Sequence, residues 1–139
     1  MYSRIVAAND GSPGGQKALA GAIELARQIS AELHMVTVAE LPRFPASIDE
    51  VAEEKEEANH HFASVIAAAR AEATAAGVTL KTHLVPDHVA DAVIGLIKQL
   101  QADLLVVGFM GHSQLYERII GGTTDRLVRL APCAVLVVK

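Results

Sequence analysis

The chain has 139 residues and a formal net charge of −4, which excludes a general binder of nucleic acids or anionic membranes because such proteins need a broad basic face. A single cysteine excludes an intrachain disulfide, and no apolar run approaches the roughly 20 residues that span a bilayer. Only 4 % of the residues are aromatic, so Ala, Val, Leu and Ile must form the core. We expect one soluble, cytoplasmic α/β domain over residues 1–139 without a signal peptide.

The first half of the chain alternates between strand and helix patterns. A short apolar run over residues 4–8 predicts a buried strand, and apolar residues at helical spacing predict a helix over residues 13–30. Residues 33–38 predict the second strand. A long helix then begins with a capping box at Ser47 and ends at Gly77, where glycine permits a left-handed cap.

The second half continues the alternation. It predicts a strand over 78–85, a turn at Pro86 and Asp87, a helix over 89–100, a central strand over 104–107, a helix after Gly122 to about Leu130, and a strand over 134–138. Five short parallel strands joined by helices predict a doubly wound, flavodoxin-like sheet with the order 3-2-1-4-5. Ligands of such sheets bind at the carboxyl edge, at the switch point between the first and fourth strands.

Glycines bound the segment that follows the fourth strand. Gly108-Phe109-Met110-Gly111 is separated by nine residues from Gly121-Gly122-Thr123-Thr124. Glycine lets backbone amides converge on an anion, and the N-terminus of the following helix adds free N–H groups. The pattern indicates a phosphate-binding loop, although tight turns alone would explain the glycines about equally well. The sequence has neither a Walker motif nor a G-x-G-x-x-G fingerprint.

Two motifs of this chain resemble the universal stress protein family. Val6-Ala7-Ala8-Asn9-Asp10-Gly11-Ser12 is similar to the family's opening strand and its V-D-G-S turn. Gly108-x2-Gly111-x9-Gly121 is similar to the family's ATP motif, G-x2-G-x9-G-[ST]. The resemblance covers the whole chain, and it implies the flavodoxin-like fold, a homodimer and the ATP-binding branch of the family.

The resemblance also implies a set of nucleotide-binding residues. Asp10 would lie beside the nucleoside, and Val38 would meet adenine through its backbone. The full set is Ala8, Asn9, Asp10, Val38, Val107, Gly108, Met110, Gly111, His112, Gly121, Gly122, Thr123 and Thr124. The implied ligand is ATP, or AMP or ADP, with Mg²⁺ as an optional bridge between the phosphates.

The sequence departs from the family pattern at two positions. Gly122 stands where the motif has Ser or Thr, although Thr124 falls where the family often has a second hydroxyl residue. Asp87 follows the third strand in place of a common glycine, and near the switch point its carboxylate would either repel phosphate or hold a cation. Both departures favour the alternative of a dimeric interaction module of the same fold that binds no nucleotide.

No catalytic residue is expected, because the sequence shows no Ser-His-Asp or Cys-His arrangement and no P-loop lysine. Arg118 and His112 are the nearest cations, and the loop 112–120 would order over bound phosphates. We therefore expect an ATP-binding sensor in a stress response, with slow hydrolysis at most. Aromatic residues are scarce in this chain, and Phe109 and Tyr116 are the only ones expected near the site. We therefore expect backbone and aliphatic contacts to hold adenine, with little ring stacking. Receiver-domain and flavodoxin functions fit less well, because the acidic cluster and the aromatic rings that they need are lacking.

The remaining polar residues and the last strand have simpler interpretations. His34 and His83 lie in predicted strands and are interpreted as structural, and the adjacent His60 and His61 do not face one another on a helix. The apolar segment from Ala134 to Val138 would be an edge strand, and edges this apolar are usually covered. Family resemblance implies that this strand pairs with its two-fold mate in a homodimer.

Overall fold

The computed structural model describes residues 2–40, 48–109 and 122–139. Strands and helices alternate along these residues, as the sequence predicts. The strands are β1 (Arg4–Ala8), β2 (Glu32–Glu40), β3 (Leu80–Asp87), β4 (Leu104–Gly108) and β5 (Ala134–Val138). The helices are α1 (Pro13–Ile29), α2 (Ile48–Ala75), α3 (Val89–Leu100) and α4 (Gly122–Leu130).

The five strands form one sheet with the order β3-β2-β1-β4-β5, and every neighbouring pair is parallel. This confirms the predicted flavodoxin-like topology. β1 lies at the centre, and the chain winds outward from it on either side, first through β2 and later through β4. The carboxyl ends of β1 and β4 are therefore neighbours that no direct connection joins, which leaves a crevice between the segments that follow them.

Helices cover both faces of the sheet because alternate residues of each strand point in opposite directions. On one face, Ile5 and Ala7 of β1 belong to a core cluster with apolar residues of α1 and α2. On the other face, Val6 belongs to a second cluster with residues of α3 and α4. Leu104 to Val107 of β4 are all buried, which confirms the prediction of a central strand covered on both sides.

The sequence placed the third strand two residues too early. β3 begins at Leu80 and runs through Pro86 and Asp87, so the predicted turn at these two residues is wrong. Pro86 pairs with Ala39 of β2. Proline is tolerated here because β3 is an edge strand, and no strand on its outer side requires a backbone N–H donor from Pro86. Gly77, with φ of +74°, follows α2 as predicted. Ser47, the predicted cap of α2, lies outside the described residues.

His34 of β2 and His83 of β3 form a stacked pair with ring centroids 5.1 Å apart and His34 Nδ1 2.9 Å from His83 Nε2. Burial lowers the pKa of both imidazoles; nearby Glu32 opposes this shift for His34, and Lys81 reinforces it for both. Nε2 of His34 lies 3.4 Å from Glu32 Oε1 and has no hydrogen-bond partner among the described residues. The pair is a packed, neutral element of the sheet, in keeping with its structural interpretation.

In the described part of the chain, no helix combines the length and apolarity needed to cross a bilayer.

Candidate functional site

The turn after β1 is fixed by a buried asparagine. Asn9 is only 4 % exposed; its backbone N–H donates to Val36 O at 3.0 Å, and its carbonyl accepts from Thr37 Oγ1 at 3.0 Å. Its side-chain Oδ1 accepts from the backbone N–H of Gly11, also at 3.0 Å. These bonds tie the turn to β2 and hold Asp10, which lies between Asn9 and Gly11, at the carboxyl edge of the sheet.

Helix α1 starts directly from this turn. Ser12 is its N-cap: the Ser12 hydroxyl accepts from Gly15 N–H at 3.1 Å, and Ser12 N–H donates to Asp10 Oδ1 at 2.9 Å. A Cβ at Gly15 would lie 2.7 Å from Asn9 Oδ1, so this close packing needs glycine. The capping network therefore fixes the direction of the Asp10 carboxylate as well as the start of the helix.

The end of β4 packs against the same helix start. A Cβ at Gly108 would lie 2.5 Å from the carbonyl oxygen of Gly14 and 2.6 Å from its carbonyl carbon. The carbonyl of Gly108 accepts a 2.7 Å hydrogen bond from the hydroxyl of Thr124, in the first turn of α4. The β1 turn, the end of β4 and the start of α4 thus meet at the switch point.

A cavity of about 560 Å³ opens between these segments. Its volume lies in the range of roughly 300–1,000 Å³ that is usual for small-molecule sites. Aliphatic side chains from β2, β4, α3 and α4 line one part of it, namely Val36, Val38, Val107, Val89, Val93 and Leu127. Polar groups line another part, namely Asn9, Asp10, Ser12, Thr123 and Thr124. The cavity therefore combines an apolar surface with hydroxyl, amide and carboxylate groups.

The structure brings together every described residue of the predicted set. Ala8, Asn9, Asp10, Val38, Val107, Gly108, Gly122, Thr123 and Thr124 all line the cavity. Met110, Gly111, His112 and Gly121 lie outside the described residues, as do Arg118 and Tyr116. That these residues bind a nucleotide stays a prediction. Asp87 ends the edge strand β3, and its carboxylate accepts from the backbone N–H of His88 at 2.7 Å. It is not one of the described residues that line the cavity, and its effect on a bound phosphate stays a prediction.

Sequence reasoning missed two cavity residues on α2. His61 and Phe62 both line the cavity, although their positions in the sequence indicate only a helix surface for His61 and the apolar side of the helix for Phe62. Phe109 was instead expected near the site, but its ring lies beneath the Lys139 ammonium, 5.4 Å from Nζ to the ring centroid. No local pattern marks His61 or Phe62, because their place depends on how α2 packs against the distant β1 turn.

Comparison with known proteins links this chain to one family. The model of the universal stress protein family matches residues 1–139. A universal stress protein of Methanocaldococcus jannaschii is 29 % identical over 147 residues, covering 100 % of this chain and 83 % of the relative.

Two solved structures share the fold over nearly the whole chain. Universal stress protein UspA from Lactobacillus plantarum matches with a TM-score of 0.85 at 25 % identity, covering 99 % of this chain and 98 % of that one. A universal stress protein in complex with cAMP matches with a TM-score of 0.78 at 27 % identity, covering 99 % and 97 %. The fold thus agrees with the sequence resemblance.

Proposed function

Because the chain belongs to the universal stress protein family, we propose that it binds an adenine nucleotide in the cavity at the switch point and acts as a nucleotide-dependent regulatory protein. The observation that carries the proposal is the cavity itself, since the β1 turn, the end of β4 and the first turn of α4 converge on it. A nucleoside needs an apolar surface for its base and polar groups for its sugar, and the lining offers both.

The chemistry of the lining suggests which residues would contact the base and which would contact the phosphate. The valines of β2, β4 and α3 suit a base, whereas Thr123 and Thr124 at the N-terminus of α4 suit a phosphate, because hydroxyls and free backbone N–H groups donate hydrogen bonds to anions. The neighbour solved with cAMP supports an adenine nucleotide as the ligand class. Within this class we propose ATP as the ligand, or AMP or ADP, with Mg²⁺ as an optional bridge between the phosphates.

The proposal includes slow hydrolysis at most. Asp10 and His61 are the titratable side chains among the described residues that line the cavity, and the Asp10 carboxylate already accepts from Ser12 N–H. Fast phosphoryl transfer requires charge stabilisation of the developing transition state, which a carboxylate does not supply. We therefore assign a sensing role, exercised in the cytoplasm during a stress response, in which bound nucleotide changes a surface that partners recognise.

Calorimetric titration of the purified protein tests this function. We expect AMP or ATP at up to millimolar concentration, with and without magnesium, to give a saturable signal. Gly122→Ser restores the hydroxyl of the family motif, and a Cβ at Gly122 meets no atom of the described residues within 4 Å, so this variant should fold normally. One added hydrogen bond predicts an affinity gain of roughly 2- to 10-fold.

Gly122→Ala is the matched control, because it adds the Cβ without the hydroxyl. Its affinity should equal that of the unmodified protein. If the unmodified protein and Gly122→Ser both give no signal with any nucleotide, the nucleotide proposal fails. The favoured hypothesis is then a dimeric interaction module of the same fold that binds no nucleotide.

We further propose a homodimer through β5. This strand forms one edge of the sheet, and Leu136 in its middle is 42 % exposed. An apolar edge strand presents unpaired backbone groups beside apolar side chains, and pairing with a second copy would cover both. Residues Ala134 to Val138 would then make an antiparallel contact around a two-fold axis.

Leu136→Lys should convert this dimer to a monomer, because it places two charges at the centre of a self-complementary contact. Light scattering at micromolar concentration measures the change in mass. Leu84→Lys provides the matched control, since Leu84 is 44 % exposed on the opposite edge strand β3 and should leave the dimer intact. A monomeric mass for the unmodified protein would contradict the proposed contact.

A further inference from the structure

Helix α2 supplies a wall of the cavity that neither family motif includes. His61 and Phe62 both line the cavity, and their rings are tilted at 58° with centroids 5.3 Å apart. Phe62 is the one benzene ring among the described residues of the lining. The other apolar side chains among the described lining residues are aliphatic, so Phe62 differs from them in kind.

The position of this wall is fixed by its contact with the β1 turn. His61 Nε2 lies 3.3 Å from the backbone carbonyl of Asp10, where an Nε2–H donates to the carbonyl oxygen. A Cβ at Gly11 would lie 2.7 Å from Val65 Cγ2 and 3.2 Å from His61 Nε2. Gly11 therefore allows α2 to lie directly against the turn, and the histidine fastens it there.

From this arrangement we propose that Phe62 contacts the face of the nucleotide base, and that His61 is a positioning residue that holds Phe62 at the cavity. The inference rests on the proposed function and names which part of the ligand α2 recognises. A purine is a planar aromatic group, and stacking on an aromatic side chain stabilises a bound base more than aliphatic contact does. Base binding in this protein thus combines an aromatic ring from α2 with the aliphatic surface of the sheet and α3, in place of the purely aliphatic and backbone contacts expected from the sequence.

The first test measures AMP affinity by calorimetry in Phe62→Ala and Phe62→Tyr. Phe62→Ala should weaken AMP binding by roughly 5- to 150-fold, the range found when stacked aromatic residues are truncated. Phe62→Tyr keeps the ring and should bind within about 2-fold of the unmodified protein. Thermal unfolding of each variant verifies that the fold is retained.

The second test detects the contact directly. Nuclear Overhauser effects between the adenine H2 and H8 protons of AMP and the Phe62 ring protons should be observed, and they should vanish in Phe62→Leu. The chain has only three phenylalanines and no tryptophan, so the ring protons can be assigned by single substitutions. This readout does not depend on stability, and a Phe62 that served only in packing would give no such effect with adenine.

The role of His61 is tested by rescue. His61→Ala should weaken AMP binding by roughly 2- to 10-fold through loss of one hydrogen bond, and His61→Gln, which keeps an N–H donor, should recover most of it. His60→Ala is the matched control on the exposed neighbouring position. Unchanged AMP affinity in Phe62→Ala, or no effect between adenine and the Phe62 ring, overturns the inference while nucleotide binding stands. An unmodified protein that binds no nucleotide overturns both.

Discussion

Gly108→Ala is expected to destabilise the fold strongly, although it adds only one methyl group. The new Cβ would lie 2.5 Å from the carbonyl oxygen and 2.6 Å from the carbonyl carbon of Gly14. Both are backbone atoms in the first turn of α1, so no side-chain rotation relieves the overlap. Either α1 or the end of β4 must move, and we expect a cost near the upper end of the roughly 1–3 kcal/mol that overpacking typically causes. Urea unfolding followed by circular dichroism measures the loss.

The matched control for this variant is Gly122→Ala. It places the same methyl group at the glycine that stands in the Ser/Thr position of the motif, where a Cβ has no neighbour within 4 Å among the residues that the structure describes. Its free energy of unfolding should stay within about 0.5 kcal/mol of the unmodified protein. Equal stability of Gly108→Ala and Gly122→Ala would show that the start of α1 does not press against the end of β4.

Gly11→Ala is expected to lower both stability and nucleotide affinity. Gly11 has φ of +86°, and an L-residue in the left-handed region costs roughly 1–2 kcal/mol. The added Cβ would also lie 2.7 Å from Val65 Cγ2, which pushes α2 away from the turn. Because α2 carries His61 and Phe62, this displacement should weaken AMP binding by roughly 10-fold or more, the range of a lost aromatic contact.

Gly77→Ala separates these two effects. Gly77 also has a positive φ, +74°, but a Cβ there would meet no atom of residues 2–40, 48–109 or 122–139 within 4 Å. It should show the backbone cost alone, with AMP affinity unchanged. Adding Val65→Ala to Gly11→Ala removes the nearest contact and should recover AMP affinity more than stability. If Gly11→Ala and Gly77→Ala lose equal stability and both bind AMP normally, α2 is not fitted against the β1 turn.

These variants bear on why glycine occupies the motif positions. From the sequence, a phosphate cradle and a tight turn explain Gly108 about equally well. The structure adds a third reason, which is the close approach of α1 through Gly14. A glycine in a nucleotide-binding motif can thus be required by helix packing before any ligand is bound. Stability and affinity must therefore be measured separately when such residues are substituted.

The sequence alone determined the topology of this protein. It also predicted many of the described residues that line the cavity. Buried strands and amphipathic helices have local periodicities, so the order of elements and the parallel sheet could be predicted, and the carboxyl edge followed from that order. The same reasoning erred at Pro86 and Asp87, because an edge strand tolerates residues that otherwise indicate a turn.

Only the tertiary structure decided which side chains complete the cavity. His61 and Asp10 are 51 positions apart in the chain, and no local pattern encodes their contact. A phenylalanine at position 62 suits the apolar face of α2 as well as it suits a ligand site. Its residue type and its spacing in the sequence therefore could not distinguish a packing role from a ligand-binding role. The need for glycine at Gly11 and Gly108 is equally non-local, because the atoms that a Cβ would meet belong to Val65 and Gly14, which are distant in the sequence. Local periodicity specifies what each segment buries, whereas the packing of distant segments specifies what a cavity contains.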